Sequence, residues 1–416
     1  RLYLSQEWDS VIILGKIALK QDMDYYYLRM RMGISLYSQK KYRQATRHFI
    51  RAMVFNHEDS LAQEYLYYSL LFSGQYEQAS LVRKQFKGDL AQKLPPTKGK
   101  AIDRIRGEYL YNRGLNDDLL SDPDLLFSGL PQGVQYITRR YYNASLSLSH
   151  SITPGFRLNH AYNYLSMTNH QYYNDGLNIL QLTDQHLYQH QYYVSPVVTL
   201  RSGFEFMPMF HMVSVHYQAP VQITQGFQGG NSQVILGYLD ALDFAAGLEA
   251  SKGIRTLDLC LGAWYATLNN AEQIQNRLGL TWYPSGNLNL YAGGYLNSQY
   301  EMSDSGSVIR IIPELLVGIG IAEKVWLEIN GAVGEMSNYL EQNGSIVYNS
   351  FSDVIQKKVS LSVSVPIADK GSLLYLGGRW TSNQSGFYPF DPAQNEITNY
   401  ITYNTLSIYG GVSWKF

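Results

Sequence analysis

Cysteine is almost missing from this chain of 416 residues: Cys260 is the only one, which excludes an internal disulfide framework. Charge is also scarce, at 16% Asp, Glu, Lys and Arg against about 25% in an average soluble protein. Yet no run of about 18 apolar residues is present to form a membrane helix. A phosphate loop, a dinucleotide fingerprint and a zinc-protease motif are all lacking. Low charge without a helical span suits a membrane β-barrel, whose apolar residues are diluted by alternation. The alternatives are a secreted β-sandwich or a propeller. What the chain has in quantity is 36 Tyr and 35 Gly, suited to interfacial girdles and to strands that curve and crowd.

The C-terminal segment 404–416 alternates with period two. Leu406, Ile408, Val412, Trp414 and Phe416 share one face, and Thr405, Ser407, Tyr409, Ser413 and Lys415 the other. Ending on the aromatic of such a strand resembles the terminal signature of bacterial outer-membrane barrels. That resemblance implies a bacterial outer-membrane location and makes Trp414 and Phe416 an insertion signal read by the barrel-insertion machinery. Lipid and lipopolysaccharide would then surround the barrel. No signal peptide precedes Arg1, so the numbering is expected to start after removed residues.

Charge is unevenly distributed. Residues 1–100 carry 16 basic and 9 acidic side chains, and the remainder 17 and 25, giving +7 and −8. Two modules are expected. In the first, Trp8, Tyr42 and Tyr76 recur at a spacing of 34, and Val11, Ala45 and Ala79 follow at the same spacing. Together with Gly33, Leu36, Phe49 and Ala52, these positions resemble a tetratricopeptide repeat; Leu66, Leu70 and Gly74 continue the pattern, with Tyr67 where glycine is usual. The resemblance implies an α-solenoid on the periplasmic side that binds a periplasmic or outer-membrane protein. Trp8 falls in the second helix of its repeat, so helices are expected upstream. Arg43, Arg47 and Arg51 lie on one helical face, with Lys40 and Lys41 just before. They read either as a solvated face or as a docking strip for an acidic partner or anionic lipid. Nucleic acid is not expected.

Pro95 and Pro96 end the helices. The organisation is therefore α+β and multidomain: helical repeats over 1–94, a linker over 95–101, and a transmembrane antiparallel barrel of about fourteen strands over 102–416. The strand cores are read at 103–113, 134–152, 156–169, 186–201, 204–217, 232–250, 255–269, 272–283, 287–302, 307–321, 325–341, 345–367, 372–388 and 397–416. Short turns at 153–155, 201–203, 251–253, 284–286, 322–324 and 369–371 alternate with longer connections. An even number of strands leaves both ends on one side. Ala144, Leu146 and Leu148, the Val359–Val365 alternation, and Leu288, Leu290 and Leu296 should meet lipid, with serines and asparagines opposite.

The same register turns Arg104, Arg106, Glu108, Arg139, Arg157, Asp243, Glu249, Asp258, Arg277, Arg310, Glu314, Glu328 and Arg379 toward the lumen. Mixed signs favour pairing across the wall over a one-sign ion filter. Small inward residues, among them Gly247, Gly262, Gly293, Gly318 and Ala245, leave space for solute or for an inserted plug; both remain open. Cys260 also takes the inward register, as a packed thiol.

Catalytic and metal chemistry finds little footing. His186 and His190 stand about 13 Å apart along a strand, too far to share a metal. The acidic run Asn116–Asp118, with Asp122 and Asp124, suits a solvated loop or a cation site. His211 and His216 have no serine motif to complete a triad. No enzyme, cofactor or metal is expected. Tyr172, Tyr173, Tyr192, Tyr193, Trp264, Tyr291, Tyr295, Trp326 and Tyr409 supply rings for a girdle or for stacking on sugars.

Periplasmic repeats fused to a C-terminal barrel resemble, in architecture, the exporters of bacterial exopolysaccharides. That implies a conduit for a polymer or polar solute. The alternative is an accessory or scaffold subunit of a secretion or barrel-assembly machine.

Overall fold

The computed structural model describes residues 2–95, 99–115, 132–174, 179–224, 233–303, 306–321, 324–350, 353–368, 371–389 and 400–416. The acidic run around Asp117 lies outside these residues.

Among the described residues six helices open the chain: α1 (Trp8–Lys20), α2 (Tyr26–Ser38), α3 (Tyr42–Phe55), α4 (Ser60–Phe72), α5 (Tyr76–Arg83) and α6 (Gly88–Lys93). The 34-residue spacing places Trp8, Tyr42 and Tyr76 each at the first residue of a helix. Each helix from α1 to α5 packs on its sequence neighbour. The core between them is Leu36, Ala45, Phe49, Ala52, Ala62, Leu66, Leu70 and Ala79. Gly33 allows the approach of α2 to α3, because a Cβ there would lie 2.6 Å from the Phe49 ring. Asp59 caps α4 by accepting from the Leu61 and Ala62 amides.

Seventeen strands follow among the described residues: β1 (Lys100–Gly114), β2 (Gly133–Thr153), β3 (Phe156–Asn174), β4 (Ile179–Gln181), β5 (Gln185–Thr199), β6 (Phe204–Thr224), β7 (Gln233–Ile254), β8 (Leu257–Leu268), β9 (Ala271–Trp282), β10 (Leu290–Ser303), β11 (Gly306–Ile321), β12 (Val325–Met336), β13 (Tyr339–Glu341), β14 (Ile346–Tyr348), β15 (Asp353–Ala368), β16 (Ser372–Pro389) and β17 (Tyr400–Lys415). Setting aside the short β4, which pairs antiparallel with the last residues of β3, and the separate β13–β14 hairpin, fourteen strands form the wall. Each pairs antiparallel with its neighbour, and β17 closes on β1 with Lys415 opposite Arg104. Closure removes the unpaired edge that hydrocarbon would not tolerate. Beyond the ends of β1 and β17, β16 pairs directly with β2, Phe387 opposite Gln135.

The outer surface is an apolar belt. Leu261, Leu278, Ile309, Leu315, Leu376 and Ile408 are each more than half exposed, while the alternate residues Thr405, Ser407 and Ser413 are buried. Trp414 and Phe416 lie on the exposed side, and the Phe416 amide donates to the Asp103 carbonyl. Gly155, Gly203, Gly286 and Gly371 sit in tight reversals at φ between +71° and +84°. At the opposite end β8 and β9 join through Asn269-Asn270, both at positive φ, a two-residue hairpin that matches strand twist.

Two boundaries differ from the sequence reading. The reversal placed at 251–253 occurs at 255–256, because β7 runs on to Ile254. The eleventh and twelfth wall strands do not extend through 337–350. That segment leaves the wall and carries β13 and β14.

Candidate functional site

The segment that leaves the wall occupies the lumen. Its hairpin reverses through Gln342, Asn343 and Gly344, all at positive φ. Leu340 and Val347 join Leu187, Tyr193, Met209, Val213, Trp264 and Leu268 in one buried cluster. Polar side chains of the wall then bind the hairpin backbone. Gln275 makes a two-way pair with Leu340, donating to its carbonyl at 2.6 Å and accepting from its amide at 3.0 Å. Gln273 donates to the Asn338 carbonyl (2.6 Å) and Gln299 to that of Ser337 (2.9 Å). His211 Nδ1 lies 2.7 Å from the Gly344 carbonyl, which fixes the Nδ1–H tautomer, and Trp264 donates to Asn343 at 3.2 Å. Side chains thus replace the missing strand partner, as buried main-chain groups require. A buried ion pair joins Glu341 of the hairpin to Lys358 of β15, and Tyr348 donates to the same carboxylate at 2.6 Å.

The hairpin divides the lumen. On the side of the longer connections lies a cavity of roughly 270 Å³, walled by Leu165, Met167, Leu187, Val215, Asp243, Asp353 and Arg379 and bounded by Ile346–Ser350 of the hairpin segment. On the side of the short turns lies a second cavity of roughly 420 Å³, lined by Asp258, Cys260, Arg277, Glu314, Glu328 and again Arg379, with Glu341–Asn343 facing it.

The helices cover the mouth on the short-turn side. Arg43 forms a bidentate pair with Asp258 of β8 (2.6 and 2.8 Å), lies 3.6 Å over the Tyr283 ring, and donates to the Ser73 carbonyl. Its own amide donates to Gly286, Asn287 donates to the Lys40 carbonyl, and Gln78 donates to Gly203. Glu77 pairs with Arg157. A third cavity of roughly 290 Å³ lies between α5 and the turns.

These contacts correct the reading of the basic strip. Arg43 is buried, and the carboxylate it meets belongs to this chain. Arg51 is held by Asp24 at 3.1 Å, Lys41 donates to Gln39, and Arg47 stays exposed. The four-residue spacing drifts around the helix, so Arg43 faces the barrel while Arg51 faces the α1–α2 turn. In that turn Arg29 and then Arg51 hold Asp24 down at about 2 by hydrogen bonding. Burial, with Arg29 and Arg47 nearby, holds His48 down at about 4.

The inward charges find different partners. Arg277 reaches Glu314 at 3.4 Å, Arg310 bridges Glu301 (3.0 Å) and Glu335 (2.7 Å), and Glu328 accepts from Tyr291 at 2.6 Å. Asp258 and Arg157 pair with helices rather than with neighbouring strands, while Arg104 donates to Ser413 near the mouth. Arg139 departs from the register: a bulge between Thr138 and Arg140 moves it aside, and it pairs with Asp184 at 2.6 Å while half exposed. Leu288, read as lipid-facing, packs beside Gly74 of the helical module.

Several of the small inward residues are covered by rings rather than open. Trp264 lies over Gly247 and Gly262, Tyr291 over Gly318, and Tyr295 over Gly293. The aromatic rings and the glycines are one feature, each ring covering a neighbouring backbone. Among the described residues no group of three or more His, Cys, Asp or Glu is placed to hold a metal. His190 meets the Tyr162 hydroxyl on the outer wall.

The residues missed from the sequence are Glu341, Lys358 and Asp353. Asn343-Gly344 is a strong hairpin signal, and the turn was placed there. Both flanks fall inside the strand cores 325–341 and 345–367, because a short apolar run such as Ile346-Val347-Tyr348 reads as strand whether it lies in the wall or in the lumen.

A closed fourteen-stranded antiparallel wall with an apolar exterior and a polar, subdivided interior defines a transmembrane-type β-barrel. No family model and no curated protein matches the chain. Solved structures that it resembles include the Pseudomonas putida toluene transporter TodX (TM-score 0.46, 8% identity, 80% of this chain and 95% of that one). A Pseudomonas aeruginosa FadL homologue (0.44, 7%, 76% and 90%) and the Ralstonia pickettii toluene transporter TbuX (0.46, 8%, 79% and 94%) are similar to the same extent. At this level of likeness the lumen is interpreted from its own geometry.

Proposed function

We propose that this chain is a non-enzymatic, gated passage barrel of the bacterial outer membrane, with its helices on the periplasmic side and the β13–β14 hairpin as the gate. The observation that carries this reading is a hairpin standing between two cavities of one lumen, with Arg379 lining both. Polar hydrogen bonds supply much of its hold, and such bonds are exchanged for water at a net cost of only about 0.5–1.5 kcal/mol each. Its departure would also uncover Leu340 and Val347 and the wall cluster they join, which keeps the closed state the resting one. A polymer such as exopolysaccharide would need both the hairpin and the helical cap displaced, so a small solute fits better. The apolar belt and the closed wall support the membrane assignment.

The test is liposome swelling or planar-bilayer conductance with 337–350 replaced by a short Gly-Ser connection. Low permeability in the parent and a clear increase in the variant are expected. A correctly folded variant as tight as the parent discards the gate.

One observation favours a second reading. The helices seal the inner mouth through Arg43 and Glu77, and their serial packing, with a helix starting at every 34-residue mark, supports a tetratricopeptide-like solenoid. Such a module suits a scaffold that holds a periplasmic protein against a closed barrel. Stable co-purification with a membrane partner, lost on deleting residues 1–94, would favour it over passage.

A further inference from the structure

The outer cavity carries a charge imbalance that simple passage does not require. Its lining includes three carboxylates, Glu108, Asp243 and Asp353, and one base, Arg379. Glu108 is answered by Arg106 and the Tyr375 hydroxyl, each at 2.8 Å. Asp243 accepts from the Asn269 amide. Asp353 is 8% exposed; its Oδ2 accepts from the Thr138 hydroxyl, the Tyr403 hydroxyl lies against the same carboxylate, and its Oδ1 is left without a geometric hydrogen bond. Among the described residues neither of these aspartates pairs with a cationic side chain. A carboxylate buried without a cation and with an open acceptor is costly, and it persists where something else completes it. The other part of the lining is apolar: Leu165, Met167, Leu187 and Val215 from the wall, and Val347 from the hairpin.

We infer that the outer cavity is a binding site for a small amphipathic ammonium compound, its N–H groups on Asp353 and its apolar body against Met167, Leu187 and Val215. An ammonium supplies three donors and the missing positive charge, and Asp243 adds attraction through the field of the cavity. The volume of roughly 270 Å³ sits at the small end of ligand pockets, about 300–1,000 Å³, so the ligand is smaller than a typical drug. Asp353 also opens β15 where the hairpin segment returns to the wall, its amide donating to Ser350 at 3.1 Å. A bound ammonium therefore sits at the root of the gate. This inference rests on reading the cavity as the entry compartment of a passage barrel.

The experiment titrates three probes of one frame, 2-phenylethylammonium, 2-phenylethanol and phenylacetate, into the full chain in detergent by calorimetry. The ammonium is expected to bind, with the alcohol and the anion at least tenfold weaker. Asp353→Asn should lower ammonium affinity at least tenfold, and Asp243→Asn two- to fivefold. Equal binding of the alcohol or the anion to the parent overturns the inference, as does an Asp353→Asn barrel that is folded by heat-modifiable migration and binds unchanged. If Asp353→Asn does not fold, the probe preference of the parent and of Asp243→Asn decides. Permeability of the hairpin-replaced variant is measured without amine. Opening without ammonium preference removes the ligand class and leaves passage standing; ammonium binding without opening supports the site and removes passage.

Discussion

Arg43→Ala removes the guanidinium that joins the two modules. The structure gives it two charge-assisted bonds to Asp258 at 2.6 and 2.8 Å, a face contact with Tyr283 at 3.6 Å and a bond to the Ser73 carbonyl at 3.3 Å. Breaking a buried pair by deleting one partner costs about 3–5 kcal/mol, because the other charge is left buried. Asp258 keeps 32% side-chain exposure, so water recovers part of that penalty. Loss of a partly desolvated cation–π contact adds roughly 1–2 kcal/mol. The expected net effect is about 2–4 kcal/mol, felt at the helix–barrel interface rather than in the barrel wall. Hydrogen exchange reads it directly: amides of α3 and α5 should lose protection by about 1.5 to 3 orders of magnitude if they open together, while β8 to β11 stay protected. A double-mutant cycle with Asp258→Asn isolates the pair. Arg47→Ala, on an exposed side chain one turn along, is the control and should change stability by less than about 0.5 kcal/mol. A coupling energy near zero, or equal exchange in Arg43→Ala and Arg47→Ala, would refute the argument that Arg43 locks the cap.

Lys358→Met alone should destabilise the closed hairpin by about 3–5 kcal/mol, since Glu341 is then buried without its cation, whereas Lys358→Met with Glu341→Leu should recover most of that loss. Conductance at fixed voltage checks this: frequent openings in the single variant and few in the double. An equally quiet single variant would count against the ion pair as a latch. The helical module should lose stability in acid in two steps. His48 is depressed from 6.5 to about 4, so the unfolded state binds more protons between those values, and stability falls as pH drops through that window. Asp24 is depressed from 3.8 to about 2, and its contribution is lost as pH falls from about 4 to 2. His48→Gln should flatten the first step in helical thermal melts from pH 7 to 4, and an unchanged slope would assign it to other groups.

The wall was legible because its physics is local. A period of two along Val359–Val365 and Leu406–Phe416 states which face each side chain takes, and the glycines of most short turns state where the chain reverses, Gly253 excepted because β7 runs past it. The number fourteen follows from counting those reversals. The 34-residue recurrence of Trp8, Tyr42 and Tyr76 was legible for the same reason, through a repeat that needs no knowledge of distant contacts, while the helix starts at those residues came from the structure. Arg139 shows where alternation fails, since one bulged residue moves its side chain off the lumen without leaving a trace in the sequence pattern.

The sequence by itself determined the period, the turns, the apolar outer face and the presence of a helical module ahead of the wall. Only the tertiary structure decided what fills the interior. Gln273, Gln275 and His211 come from strands far from 337–350 in sequence, and they recognise a hairpin by its backbone, which every sequence shares. The partner of Arg43 lies 215 positions away, and no spacing rule reaches that far. Alternation is enforced by the nearest neighbours in a strand, whereas occupancy of a lumen is set by whichever groups closure brings face to face.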